Sequence, residues 1–169
     1  MDEAWLRGPM AGIDPLLMPV AHALVQVRED VTRLAREVPP HDAWQRPGGA
    51  ASIGFHLRHI GGALDRLFTY ARGETLSDEQ RAALRMEGTP GEPPASLVAV
   101  ADDVALLIDR ALDQLRATSS GELTVPRRVG RAGLPSTVIG LLFHAAEHST
   151  RHAGQAITTA RILAAGTPG

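Results

Sequence analysis

Apolar residues recur at three- and four-residue steps along four long stretches of the chain, the spacing that lines one face of an α-helix. The first runs from about Ile13 to Val38, where Leu16, Leu17, Val20, Leu24, Val27, Val31 and Leu34 form the stripe and Pro39-Pro40 ends it. A loop rich in Pro and Gly leads to Ser52, which fits the N-cap of a second helix carrying Ile53, Leu57, Ile60, Leu64, Leu67 and Phe68 and closing at Gly73. The third helix extends from about Ala95 to Ala117 with Leu97, Val100, Val104, Leu107, Ile108, Ala111, Leu112 and Leu115 in register. The fourth, with Ser136 as its predicted N-cap, reaches about Ala164. Between the second and third, Ser77-Asp78-Glu79-Gln80 has the spacing of a capping box and predicts a short connector helix to about Glu87. No segment reads as a strand.

Four amphipathic helices of roughly 20 to 28 residues bury their stripes most economically against one another. The expected fold is therefore all-α, a four-helix bundle with at least one crossover connection and a short connector helix, as a single domain over 1–169. The links between the second and third helices and between the third and fourth, each about 20 residues, exceed what a simple helical hairpin needs. Either could carry the crossover.

Composition narrows the chemistry. The 169 residues carry 17 basic and 19 acidic side chains, a net charge of −2, and all the basic ones are arginine. Such a balance lacks the basic face of a general nucleic-acid binder, and six aromatic residues make no stacking platform. The absence of lysine excludes Schiff-base and Walker-type mechanisms. The absence of cysteine excludes disulfides, thiolate metal sites and cysteine nucleophiles, so any metal must be held by nitrogen and oxygen donors. The acidic opening Met1-Asp2-Glu3 does not resemble a signal peptide, and no apolar run approaches the roughly 20 residues of a membrane span. A cytoplasmic protein with no membrane partner is expected.

Histidine placement is the most informative feature. Five of the seven histidines fall on two predicted helices: His56 and His59 on the second, and His144, His148 and His152 on the fourth. Residues four apart project from nearly the same side of a helix, so His144 with His148, or His148 with His152, can converge on one ion. A histidine from a facing helix would complete a three-nitrogen site with an open position, as catalytic zinc sites have. A helical projection turns His148 and His152 inward more than His144. On the second helix it places His56 nearer the apolar arc and His59 beside Arg66, and periodicity does not choose between them. His22 and His41 are isolated. His144-Ala145-Ala146-Glu147-His148 matches the inverted zinc-protease pattern, but no acidic residue follows Glu147 to supply its further ligand. The two Glu-x-x-His motifs of a ferritin-like dinuclear site are absent.

Two segments carry a resemblance that spans nearly the whole chain: Ser52-Ile53-Gly54-Phe55-His56-Leu57-Arg58-His59-Ile60, and His148-Ser149-Thr150-Arg151-His152-Ala153-Gly154-Gln155. They resemble the DinB-like (DinB and YfiT-like) metal-binding four-helix bundles. The resemblance implies a mononuclear divalent ion, zinc or nickel foremost, on His59, His148 and His152, with His56 and His144 outside the ligand set. Ala153 stands where relatives often have Arg. It further implies a metal-dependent transferase that activates a low-molecular-weight thiol, its partners being that thiol and a small electrophile. A hydrolase that activates water, or a noncatalytic stress protein with a structural ion, are the alternatives. Arg127, Arg128 and Arg131 could hold the carboxylates or phosphate of a cosubstrate through paired guanidinium hydrogen bonds. Asp65 and Glu147 are the acids nearest the histidines in sequence and could orient an imidazole. Homodimerisation through helix faces is compatible with the pattern.

Overall fold

In the computed structural model, which describes residues 2–166, the four stripes form helices α1 (Met18–Glu37), α2 (Ile53–Ala71), α4 (Leu97–Ala117) and α5 (Val138–Gly166), with α3 (Asp78–Met86) between α2 and α4. Residues 1 and 167–169 of the expected 1–169 domain lie outside the described residues. The helix starts have local causes. Ser52, Ser77 and Ser96 each accept a hydrogen bond from the backbone N–H three residues on, and Gln80 returns a bond to the Ser77 N–H, completing the capping box. Each such cap stabilises its helix by about 1 kcal/mol. Helix α1 begins later than its stripe because Asp14 caps a 3₁₀ turn over Pro15–Leu17 first.

The buried stripes meet in one core, where Leu17, Leu24, Ile53, Leu57, Ile60, Leu64, Ile108, Leu115 and Leu142 are sealed from solvent. Helix α2 packs chiefly on α4 and α5, and α1 on the same two, which sets α1 and α2 on one diagonal and α4 and α5 on the other. Directions follow from paired residues. His59 faces His148 and His56 faces His152, so α2 and α5 are antiparallel. Gly61 lies against Val104 and Leu107, and the Phe68 carbonyl accepts from Gln114, so α2 and α4 are parallel. Parallel neighbours require the chain to return along the bundle between them, and the 72–96 segment does so. Along it Gln80 meets Asp65 and Thr69, Glu87 meets His59 and Arg66, and the Thr89 and Pro90 carbonyls meet Arg58. The crossover is thus the link between the second and third long helices.

The stretch expected as an irregular loop before the last helix contains an antiparallel hairpin, β1 (Pro126–Val129) and β2 (Leu134–Thr137), turned by Gly130 and Gly133, both at positive φ. Ser136 is consequently paired with Arg127 in the ladder and does not cap the helix. That role passes to Thr137, whose hydroxyl accepts from the Gly140 N–H at 3.1 Å. Four-residue strands with a proline in each carry no alternating pattern to read.

The Pro- and Gly-rich loop before α2 is pinned at Trp44. Its indole donates to the Ala95 carbonyl at 2.9 Å, lies under the Arg58 guanidinium, and approaches Gly54 so closely that a Cβ there would stand 2.7 Å from the ring. Glycine at the first turn of α2 therefore fixes that turn, and His56 and His59 with it, against the loop. No helix among the described residues is long and apolar enough to cross a membrane.

Candidate metal centre

Helices α2 and α5 bring four imidazoles into one cluster between them. The His59 and His148 Nε2 atoms are 2.9 Å apart, and so are the His56 and His152 Nδ1 atoms. Ring centroids of His59 and His152, and of His148 and His152, are 4.5 Å apart. His59, His148 and His152 each offer a nitrogen within 4.8 Å of the other two, so the three could hold a metal ion. All three are half-buried, while His56 is 6% exposed and reaches the cluster through His152. Phe55 stacks on His59 with an interplanar angle of 13°.

One acid and one cation decide which imidazole nitrogens are bare. The His59 Nδ1–H donates to Glu87 Oε2 at 2.6 Å, and the other Glu87 oxygen accepts from Arg66 Nη1 at 2.7 Å. With its proton committed to Glu87, neutral His59 presents Nε2 as a lone pair. His148 must then donate from its own Nε2, which leaves its Nδ1 bare. That atom is sealed from solvent and has no hydrogen-bond partner among the described residues. An orphaned buried nitrogen costs about 1–3 kcal/mol.

The electrostatics favour neutral rings. Burial first, then the neighbouring His59, His148 and His56, push His152 down to about 4. Burial and His59 also lower His56 and His148. Burial alone would raise the Glu87 carboxyl, but hydrogen bonds from His59 and Arg66 and the charge of Arg66 hold it below the ordinary range. At neutral pH His56, His148 and His152 are therefore unprotonated, and an ionised carboxylate stands behind His59, the donor state a cation needs.

One consequence is measurable without metal. Because His152 titrates near 4 in the folded protein and an unfolded imidazole near 6.5, the unfolded chain binds more protons between those values. The stability contribution is complete above pH 6.5 and is lost as pH falls toward 4. The urea midpoint of metal-free protein should drop between pH 7.5 and 5.0, and drop less in His152→Ala. Equal drops in the two proteins would refute this account.

The structure does not bring the remaining sequence candidates to the cluster. Arg127, Arg128 and Arg131 sit on the hairpin and its turn. Arg127 donates to the Ala71 carbonyl at the end of α2, and Arg128 to Gly133. Ala71 is twelve residues beyond His59, about 18 Å along the helix axis. Asp65 accepts from Gln80, and Glu147 pairs with Arg151 and His144 on the surface. His22 bonds the Gly8 carbonyl, and His41 lies exposed beside Asp42. Glu87, buried against His59, was missed because it lies 28 residues away on a segment read only as a connector.

The donor set fits a divalent ion. Three neutral imidazoles suit zinc, nickel, copper or iron and do not select among them.

Comparison with known proteins agrees with the fold and the motifs. Residues 23–156 match the DinB superfamily, a span that includes all three histidines. Among solved structures, the 1.70 Å crystal structure of a protein from Exiguobacterium sibiricum described as a DinB family member superimposes with a TM-score of 0.69. It covers 93% of this chain and 97% of that one at 16% identity, a likeness of fold. No curated protein matches the chain in sequence.

Proposed function

The chain belongs to the DinB superfamily, and on that premise we propose that it is a mononuclear divalent-metal protein, with the ion on His59, His148 and His152, acting as a transferase that activates a low-molecular-weight thiol. The observation that carries this reading is the convergence of three nitrogens from two helices within 4.8 Å, with no carboxylate among them. A cation held only by neutral imidazoles keeps its full charge and, when bound, lowers the pKa of a thiol or water beside it.

The chain's own residues contribute position and shape. Glu87 fixes the proton of His59 on Nδ1, and the His56–His152 contact restrains the His152 ring. Phe55 covers one face of His59. Beside His56 a groove of about 600 Å³ runs along α5, bordered by Ala51, Arg151, Gly154 and Gln155. Gly154 lies exposed on its border, with nothing within 4 Å of where a Cβ would stand. A groove of that size suits the body of a small organic cosubstrate, and Arg151 at its border suits an anionic group on it. Since the chain contains no cysteine, the thiol must come from outside.

Purified protein, after elemental analysis, tests the proposal with a panel of small thiols and a chromogenic electrophile. The expected result is one divalent ion per chain and turnover that requires both the ion and a thiol. Turnover without thiol would replace the transferase by a hydrolase. Bound metal without turnover on any pairing would reduce the ion to a structural one.

A further inference from the structure

From residue 72 to residue 96, the crossover that returns along α2, Glu87 alone is buried. Helix α3 itself buries no residue. A surface segment is ordinarily anchored by an apolar side chain, whose burial carries no desolvation penalty. Here the anchor is a carboxylate, 5% exposed, and both of its oxygens are spent on α2: one on His59, the other on Arg66. The α2 backbone is shaped to admit it. A Cβ at Gly62 would overlap Glu87 Oε1 and stand 2.7 Å from the Arg66 guanidinium, so glycine there leaves the room that the ion pair fills. Polar ties of the segment to α2 include Gln80 to Asp65 and Thr69, and Arg58 to the Met86, Thr89 and Pro90 carbonyls.

We propose that Glu87 is the positioning residue of the metal ligand His59, and that through it ion binding and docking of the α3 crossover are coupled. The inference rests on the metal-site reading above. With its Nδ1–H held by Glu87, His59 presents Nε2 to the cation already oriented and in the required tautomer, the arrangement in which a carboxylate behind a ligand imidazole raises its basicity. The converse follows by linkage: an ion that draws His59 into one orientation strengthens the Glu87 contact and holds α3 against α2. Undocking of α3 would weaken the site by the same factor.

The test compares wild type with Glu87→Gln, which preserves shape and removes the charge. Zinc affinity by competition with a chromophoric chelator should fall about 10- to 100-fold. The ¹⁵N shifts of His59 in zinc-free protein should change from a single Nδ1-protonated tautomer to a mixture, a signature that general destabilisation does not produce. Amide exchange over residues 78–87 of wild type should slow on zinc addition, and this arm needs no variant. Equal zinc affinity within twofold with an unchanged His59 tautomer would overturn the positioning role. Unchanged exchange in zinc-loaded wild type would overturn the coupling. A wild type that takes up no zinc sinks the metal-site reading together with this inference, whereas zinc uptake indifferent to Glu87 sinks this inference alone.

Discussion

His148→Ala is expected to lose stoichiometric zinc, with affinity falling by more than the roughly 100-fold that an outer partner of a metal ligand contributes. The substitution removes one of three donors and leaves two imidazoles on different helices, His59 and His152, which no longer enclose an ion. Folding should survive, because the metal-free protein already spends stability on the His148 Nδ1 orphan and alanine abolishes that cost. The two effects separate in a thermal melt. Wild type at free zinc of about 100 times its dissociation constant gains about 2.7 kcal/mol, seen as a rise in Tm, and the variant should show no rise. His144→Ala supplies the control, since His144 is exposed and bonded to Glu147 and should leave the zinc-dependent rise intact. On α2, His59→Ala should behave like His148→Ala, whereas His56→Ala, which removes only a neighbour of His152, should weaken zinc without eliminating it. Full zinc retention by His148→Ala would defeat the ligand assignment.

The parts of this centre that the sequence made legible are those written as short-range periodicity. Helices α2 and α5 could be read because their apolar stripes are continuous, and the His148–His152 pair because four residues is one helical turn. Whether His56 or His59 faced the site could not be read, since both do: His56 packs on His152 while His59 meets His148. A projection built on one apolar arc cannot describe a helix whose two flanks touch different partners, α4 and α5. Arg66 looked like the polar face of α2 but is buried, because the crossover covers that face and brings a carboxylate to it. Glu87 itself was invisible for the same reason. Its partner is set by the direction in which the 72–96 segment returns, a long-range property that no local pattern encodes. The hairpin escaped notice because Pro126–Val129 and Leu134–Thr137 are held by a turn and four facing pairs of residues, not by a buried alternating face.

The Arg66–Glu87 pair should dominate the stability of the region. Arg66→Met keeps the apolar stem of the side chain and removes its charge, leaving Glu87 buried with only the His59 N–H as donor. Breaking a buried pair by deleting one partner typically costs about 3–5 kcal/mol; the surviving His59 bond puts the expectation near the lower end, about 3 kcal/mol at pH 7.5 by urea denaturation. The pH dependence identifies the cause. In wild type the Glu87 carboxyl is held below its ordinary value, so its contribution is complete above the unfolded value and is lost as pH falls through the folded one. Without Arg66, burial dominates and raises the carboxyl above its unfolded value, so the ionised group opposes folding at neutral pH and the penalty lifts as it takes up a proton. The gap between the two proteins should therefore narrow from pH 7.5 toward pH 5. A gap that holds constant over that range would assign the loss to packing of the Arg66 stem and not to the charge left on Glu87.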